Sequence, residues 1–198
     1  MSSLPATPSR SIQPIETSYG SHRFRSRLEA RWAVFFDQLG LRWEYEVEGF
    51  QLEDGTRYLP DFKIWTPQGR WRWVEVKPSS IDSDSKFLKF QDEAHKAFEF
   101  AELVSGSPLQ WLEQGYTFCP RCGLPSHNPW DEWFYCQACD YETPCGGGHG
   151  QETTGVAGTT WKPHKGSVCV EWDELMHFAS VLRDAAEGAQ QARFEFGN

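Results

Sequence analysis

The residues whose types and spacing best suit hydrolytic chemistry are three carboxylates and one lysine, namely Glu29, Asp61, Glu75 and Lys77. Glu75 and Lys77 are two positions apart, so both side chains would lie on one face of a strand. If the strands that carry Asp61 and Glu75 pair, the two carboxylates become neighbours that need a cation to stay ionised together. Mg²⁺, which prefers oxygen ligands, would meet that need.

This arrangement predicts phosphodiester hydrolysis by metal-activated water. Asp61 and Glu75 would hold Mg²⁺ (or Mn²⁺), with the backbone carbonyl of Val76 as a further ligand. The metal would lower the pKa of a bound water and neutralise charge on the phosphate. Lys77 would orient the attacking water or stabilise the developing negative charge. Glu29 would complete the metal shell or act through a water.

Two helices and several strands must position these residues. Apolar side chains recur at helical spacing from Leu28 to Leu39, and Gly40 is placed to end that helix. Alternating apolar residues predict three strands, at 43–47, 58–65 and 71–76. The later elements expected are a helix from Phe87 to about residue 104, a strand within 109–118 and a last helix after Asp173.

The ordered motifs of the first half resemble those of the PD-(D/E)XK nuclease superfamily. They are Ser26-Arg27-Leu28-Glu29, then Leu59-Pro60-Asp61-Phe62, then Glu75-Val76-Lys77. The chain is most similar to phage-encoded endonucleases and TnsA-type endonucleases, over about residues 24–118. The resemblance implies an α/β fold of mixed α+β type, with a restriction-endonuclease-like core of helix, three-stranded antiparallel turn of sheet, helix and strand. It also implies DNA cleavage, with Asp61 and Glu75 as metal ligands, Lys77 as the catalytic lysine and Glu29 as the helix acid.

The cysteines favour a structural zinc site. Cys119-Pro-Arg-Cys122 and Cys136-Gln-Ala-Cys139 are two C-x₂-C pairs with the spacing of a zinc ribbon, in which four thiolates complete a tetrahedron. An iron–sulfur cluster is the alternative, since four cysteines also suit iron. Cys145 and His149 form a spare pair that could replace one C-x₂-C pair. Acidic residues around the ribbon favour bracing or protein contact over phosphate binding.

Charge is distributed unevenly along the chain. The formal net charge is −9, yet residues 1–100 hold 14 basic and 15 acidic side chains, against 5 and 13 in residues 101–198. The acidity therefore does not exclude DNA, because it lies mostly in the second half. That half is expected to face away from DNA or toward a protein partner. The basic residues that could contact DNA are Arg23, Arg25, Arg27, Arg31, Lys86 and Lys89.

Four segments are predicted: a flexible tail (1–20), a nuclease-like domain (21–118), a zinc ribbon with a Gly-rich loop (119–160) and a C-terminal helical segment (161–198). No stretch approaches the roughly 20 apolar residues of a membrane span and no signal sequence is evident, so a cytoplasmic protein of a bacterial or phage-infected cell is expected. Cutting both strands would favour a homodimer. The alternatives are a non-catalytic DNA- or protein-binding chain with a nuclease fold, and a nuclease subunit active only with a partner.

Overall fold

The computed structural model describes residues 14–65, 69, 71–78, 85–97, 99–114, 116–118, 125–127, 133–136, 141–144 and 172–196. Side chains are described for 14–65, 69, 71–78, 86–97, 99–114 and 180–194. The helices are α1 (Arg27–Gln38), α2 (Ser85–Lys96), α3 (Pro108–Glu113) and α4 (Trp172–Gln191). The strands are β1 (Thr17–Tyr19), β2 (His22–Phe24), β3 (Arg42–Tyr45), β4 (Phe50–Gln51), β5 (Arg57–Tyr58), β6 (Phe62–Trp65), β7 (Trp71–Lys77), β8 (Ala101–Ser105), β9 (Tyr116–Phe118), β10 (Pro125–His127), β11 (Trp133–Cys136), β12 (Tyr141–Pro144) and β13 (Glu195–Phe196).

A mixed four-stranded sheet lies at the centre of the fold, with the strand order β3-β6-β7-β8. Strand β6 is antiparallel to both of its neighbours, β3 and β7, whereas β8 runs parallel to β7. The helix α2 supplies the crossover that a parallel pair requires. The chain is therefore a mixed α/β protein with a mixed sheet, in agreement with the expected α+β class.

The first face of the sheet is covered by α1, whose apolar stripe is almost completely buried. Ser26 caps this helix by accepting the amide N–H of Glu29, and Gly40, with φ of 66°, follows the last turn. Trp32 also donates its indole N–H to the carbonyl of Gly106, 3.0 Å away, which ties α1 to the end of β8. The buried apolar residues of this layer include Ala33, Phe35, Phe36, Phe62, Ile64, Val74, Val76, Val104 and Trp111.

The second face of the sheet packs against α2 and the β4–β5 hairpin. Trp73 of β7 is buried there, in contact with the rings of Phe50 and Phe90. The buried cluster comprises Leu52, Tyr58, Trp73, Phe87, Phe90, Ala94 and Ala101. Helices cover both faces of this part of the sheet. Side chains that alternate along β7 are therefore apolar on both faces, with Val74 and Val76 on the α1 side and Trp73 on the α2 side.

The C-terminal part of the chain belongs to the same core. Leu182, Ala185, Ala186 and Ala189 of α4 are buried in the layer that contains α1. Strand β13 then pairs antiparallel with β1, and Thr17 lies opposite Phe196. The separate C-terminal segment predicted at 161–198 is thus continuous with the first domain through α4, and the predicted tail does not extend to residue 20, since β1 is part of a sheet.

Three other predicted elements differ from the structure. The strand predicted at 58–65 is divided, because Pro60 and Asp61 separate β5 from β6. The second helix ends at Lys96 rather than near residue 104, and residues 101–105 form β8. Of the strand predicted within 109–118, residues 116–118 form β9, whereas residues 108–113 form α3, which begins with a capping box between Ser107 and Gln110.

Strand pairs flank both C-x₂-C motifs. The β9–β10 pair comes directly before and after the segment that contains Cys119 and Cys122. The β11–β12 pair is antiparallel, and Cys136, its last residue on one strand, lies opposite Tyr141. Across the described part of the chain, no helix is both long and apolar enough to cross a membrane.

Candidate functional site

Asp61 directly precedes β6, and Glu75 lies on the neighbouring strand β7. Phe62 pairs with Val74 in the antiparallel register of β6 and β7, so the next pair along is Asp61 and Glu75. Both carboxylates are buried, with 2% and 5% of the residue surface exposed. The sequence prediction that these two residues become neighbours through the β6–β7 hairpin is consistent with this geometry.

Asp61 is held by the backbone of the neighbouring strand β7 and by an ion pair with Arg25. Its Oδ2 accepts the amide N–H of Val76 at 2.8 Å. Because the N–H and C=O of one strand residue point to the same side, the Val76 carbonyl also faces Asp61. Burial, followed by the charge of Glu75, raises the pKa of Asp61 to about 7, while the Val76 amide and Arg25 act in the opposite direction.

Arg25 connects two carboxylates at the edge of this site. One of its terminal nitrogens, Nη2, donates to Asp61 Oδ1 at 2.6 Å, and its Nε lies 2.6 Å from Oε1 of Glu46. Glu46 follows β3 in a left-handed backbone conformation, with φ of 48°. The guanidinium therefore compensates the buried charge of Asp61 in the described arrangement.

Glu75 and Lys77 share the same face of β7, as predicted. The ammonium group of Lys77 lies 2.5 Å from Glu75 Oε1. The second oxygen of Glu75, Oε2, is buried and has no hydrogen-bond partner among the described residues. A buried carboxylate oxygen without a partner is costly, so it marks a position where a cation or water would be stabilising.

Glu29 reaches the site from the first turn of α1, but both of its oxygens are engaged. Oε1 accepts the hydroxyl of Ser26 at 2.7 Å. Oε2 accepts the hydroxyl of Tyr45 and the backbone N–H of Arg25, the latter at 3.2 Å. Burial and the bond to Glu29 raise the pKa of Tyr45, which stays a neutral donor. In this arrangement Glu29 fixes the segment that presents Arg25 to Asp61.

The donor set fits a hard divalent cation. Among the described residues, no three His, Cys, Asp or Glu side chains are grouped to hold a metal ion. Mg²⁺, however, commonly uses only one or two carboxylates and keeps several waters. Asp61, Glu75 and the Val76 carbonyl provide such a set, and the partnerless Glu75 oxygen is consistent with it.

The predicted DNA-binding residues differ in their exposure and in their contacts. Arg23 pairs with Glu16, and Lys89 pairs with Asp54 at 2.6 Å. Arg31 is partly buried, and burial together with the charge of Arg27 lowers its pKa. Lys86 is exposed on α2. Arg25 contacts Asp61, a predicted metal ligand, at 2.6 Å.

The predicted zinc ligands lie largely beyond the described residues. Cys119, Cys122 and Cys139 are outside them, as are the alternative ligands Cys145 and His149. Cys136 is described as the backbone end of β11. The zinc site therefore remains a prediction from spacing and from the strand pairs that flank the motifs.

Sequence reasoning missed two members of the site and the role of a third. Glu46 looked like the polar face of a strand, and Tyr45 looked like its apolar face. Arg25 was predicted to contact DNA, whereas its side chain bonds to Asp61, 36 positions later. The sequence carried one signal for the role of Arg25. It directly precedes Ser26, the N-cap of α1, and a residue beside an N-cap lies close to an acid in the first turn of the helix, here Glu29.

Comparisons with known proteins found no match, whether the chain was scanned against protein-family models or searched against curated proteins and solved structures.

Proposed function

We propose that the chain is a Mg²⁺-dependent endonuclease of PD-(D/E)XK type that hydrolyses DNA phosphodiesters, in phage or mobile-element DNA processing. The observation that carries this proposal is that Asp61, directly before β6, and Glu75 of β7 are two buried carboxylates that interact, with Lys77 beside Glu75. Two buried carboxylates and an adjacent lysine are more than the fold needs for stability, since each buried charge costs free energy.

Each residue has a distinct role in the proposed reaction. Asp61, Glu75 and the Val76 carbonyl would hold the cation, which lowers the pKa of a bound water and neutralises phosphate charge. Lys77, whose ammonium group already lies beside Glu75, would donate a hydrogen bond to the attacking water or to the phosphate. Glu29 would keep the segment before α1 in place rather than contact the reacting atoms.

The test is cleavage of supercoiled plasmid and of linear duplex in Mg²⁺ or Mn²⁺. Asp61→Asn, Glu75→Gln and Lys77→Met are expected to lower the rate at least about 100-fold, as expected for loss of metal or electrostatic catalysis. Lys96→Gln, an exposed lysine on α2, is the matched control and should cleave like wild type. Equal cleavage by wild type and all three site variants would refute the assignment.

A non-catalytic DNA- or protein-binding chain is the second candidate, and Arg25 is the observation that favours it. Its guanidinium balances Asp61 without any metal, as in a site that has lost its ion. DNA binding by the wild type without cleavage, and without measurable Mn²⁺ binding, would favour this candidate. A subunit that needs a partner would instead bind Mn²⁺ through Asp61 and Glu75 while remaining inactive alone.

We also propose that Cys119, Cys122, Cys136 and Cys139 bind a structural Zn²⁺. Two antiparallel strand pairs flank the two C-x₂-C motifs, in the order that a zinc ribbon requires. A structural zinc would stabilise a segment too short to bury a core of its own. The role of this module in the endonuclease would be support or contact with another protein.

A further inference from the structure

One face of the central sheet carries three successive rows of side chains across β3, β6 and β7. The strand register defines each row by one residue from each strand. The aromatic row contains Arg42, Trp65 and Trp71. The middle row contains Glu44, Lys63 and Trp73. Continuing the register by one residue, the acidic row contains Glu46, Asp61 and Glu75. The candidate catalytic carboxylates therefore share a sheet face with a cluster of cations and indoles.

The cations of this face lie directly over the indole rings. Lys63 Nζ is 4.1 Å from the ring centre of Trp71 and 4.6 Å from that of Trp73. The guanidinium carbon of Arg42 is 4.3 Å from the ring centre of Trp65. These distances are well within the range of cation–π attraction, which holds the rings and the charges together as one surface.

Within the described residues, α2 and the β4–β5 hairpin cover the β7–β8 side of this face. The helix α2 packs over β5 and β8, and Trp73 is buried beneath it and the β4–β5 hairpin. Trp65 and Trp71 are only half-buried. Lys63 has no carboxylate partner within the described residues, and Arg42, paired with Glu44 at 2.7 Å, has a side chain that is 67% exposed. Indole surface and net positive charge thus reach solvent together.

We propose that Arg42, Lys63, Trp65 and Trp71, here called the stacking surface, bind unpaired bases of a nucleic-acid strand. Indoles stack on the faces of bases and neighbouring cations contact the backbone, which is the pairing that single-strand binding surfaces use. Arg42 and Lys63 would therefore move from the indole faces to the phosphates when bases stack there. Paired bases in a duplex interior do not offer these faces. The proposal rests on the proposed function and refines it: the substrate has a single-stranded segment beside the cut.

The position of the stacking surface fits that refinement. Trp71 and Glu75 are four residues apart on one strand, which corresponds to about 13 Å. A strand whose phosphate lies at Asp61 and Glu75 can therefore place nearby bases on Trp65 and Trp71 without any movement of the sheet.

The experiment measures binding in EDTA, so that cleavage plays no part. Fluorescence anisotropy follows a fluorescein-labelled dT₂₀, an rU₂₀ and a blunt hairpin duplex with wild type and with Trp65→Leu/Trp71→Leu, which keeps apolar cover but removes stacking. We expect dT₂₀ binding to weaken about 10- to 100-fold in the double variant, as base–indole stacking predicts, and duplex binding to change much less. Comparison of dT₂₀ with rU₂₀ distinguishes DNA from RNA.

Two further variants distinguish a loss of nucleic-acid binding from a loss of folding. Lys63→Gln/Arg42→Gln leaves both indoles in place and should weaken dT₂₀ binding and reduce its salt dependence. Lys96→Gln removes a lysine outside the stacking surface and should bind dT₂₀ like wild type. Thermal melting confirms that each variant is folded before its affinity is compared.

The outcomes are distinct. Equal dT₂₀ affinity of wild type and both double variants would overturn the proposal, as would a wild type that binds only duplex or no nucleic acid. If the wild type binds no nucleic acid, a protein would be the remaining candidate partner for the stacking surface. Failure of the proposed function would appear separately, as loss of metal-dependent cleavage with dT₂₀ binding still dependent on Trp65 and Trp71.

Discussion

The guanidinium of Arg25 donates to Oδ1 of Asp61 at 2.6 Å, while the other oxygen of the same carboxylate accepts the amide of Val76. A divalent cation bound by Asp61 would need the oxygen that Arg25 now contacts, or would need to share it. Arg25 and a metal ion are therefore competitors for one buried carboxylate. Since the Arg25 side chain is 56% exposed, it can leave without disturbing the core.

Removing this competitor should tighten metal binding. We expect Arg25→Met to lower the Mn²⁺ dissociation constant at least about fivefold, because a positive charge in contact with the ligand is lost. Isothermal titration calorimetry without DNA measures the change. Arg23→Met, which removes an arginine that pairs with Glu16 outside the site, should bind Mn²⁺ like wild type. Unchanged or weaker Mn²⁺ binding by Arg25→Met would contradict the competition.

The raised pKa of Asp61 should make the metal-free fold sensitive to pH. At a pKa of about 7 the folded chain retains a proton that the unfolded chain, with an aspartate pKa near 3.9, has already lost. The contribution of the protonated Asp61 to the free energy of unfolding is fully present below about pH 4, and it is lost as the pH rises through 7. Asp61→Asn, which cannot ionise, should gain about 1–3 kcal/mol over wild type between pH 5 and pH 8.

Urea unfolding in EDTA at the two pH values gives this difference. The sign follows from linkage: over this interval the native state binds more protons than the unfolded state, so its free energy of unfolding falls as the pH rises. Saturating Mg²⁺ should reduce the pH dependence of the wild type, because the cation replaces the proton. Parallel pH profiles for wild type and Asp61→Asn would show that Asp61 carries no such proton.

The two helix caps offer a matched pair of variants. Ser26 caps α1 and also donates to Glu29, whereas Ser107 caps α3 through hydrogen bonds with Gln110. Either serine changed to alanine should lower the free energy of unfolding by about 1 kcal/mol. Ser26→Ala should in addition slow Mg²⁺-dependent cleavage, because the segment that holds Arg25 loses its support. If Ser26→Ala and Ser107→Ala are equally stable and slow cleavage equally, Ser26 acts only as a helix cap.

The zinc prediction can be tested independently of catalysis. Purified chain should contain a single Zn²⁺, measured by elemental analysis, and Cys122→Ser or Cys139→Ser should reduce the content. Cys169→Ser, a cysteine outside the C-x₂-C motifs, is the matched control and should retain the metal. Full zinc occupancy in both motif variants would exclude the proposed ligand set, and an iron signal would favour a cluster instead.

Short-range patterns predicted the first helix and the central strands well. The apolar stripe of α1 and the alternation in β6 and β7 are local features, because burial on a helix or sheet face depends on spacing alone. The opposition of Asp61 and Glu75 followed from one hairpin, which is also a local relationship. These elements carry the proposed catalytic residues, so the candidate carboxylate pair could be expected from the sequence.

Most features that local patterns did not predict depend on contacts between residues that are distant in the sequence. Residues 101–105 continue a helical stripe, but their parallel pairing with β7 makes them a strand. The helix α3 had a readable signal in Ser107, Pro108 and Gln110, a capping box with proline at the first helical position, that the strand prediction overlooked. The contact of Arg25 with Asp61 depends on a long side chain across two elements, which no periodicity reports.

The pairing of β1 with β13, and the burial of α4 residues beside α1, has a consequence for synthesis. The two segments that build this core, 14–114 and 172–196, are separated in sequence by the cysteine-rich segment. On the ribosome, the side of α1 that α4 covers stays exposed until α4 has been synthesised. Truncation before α4 should therefore yield an aggregation-prone product even though Glu29, Asp61, Glu75 and Lys77 are all present.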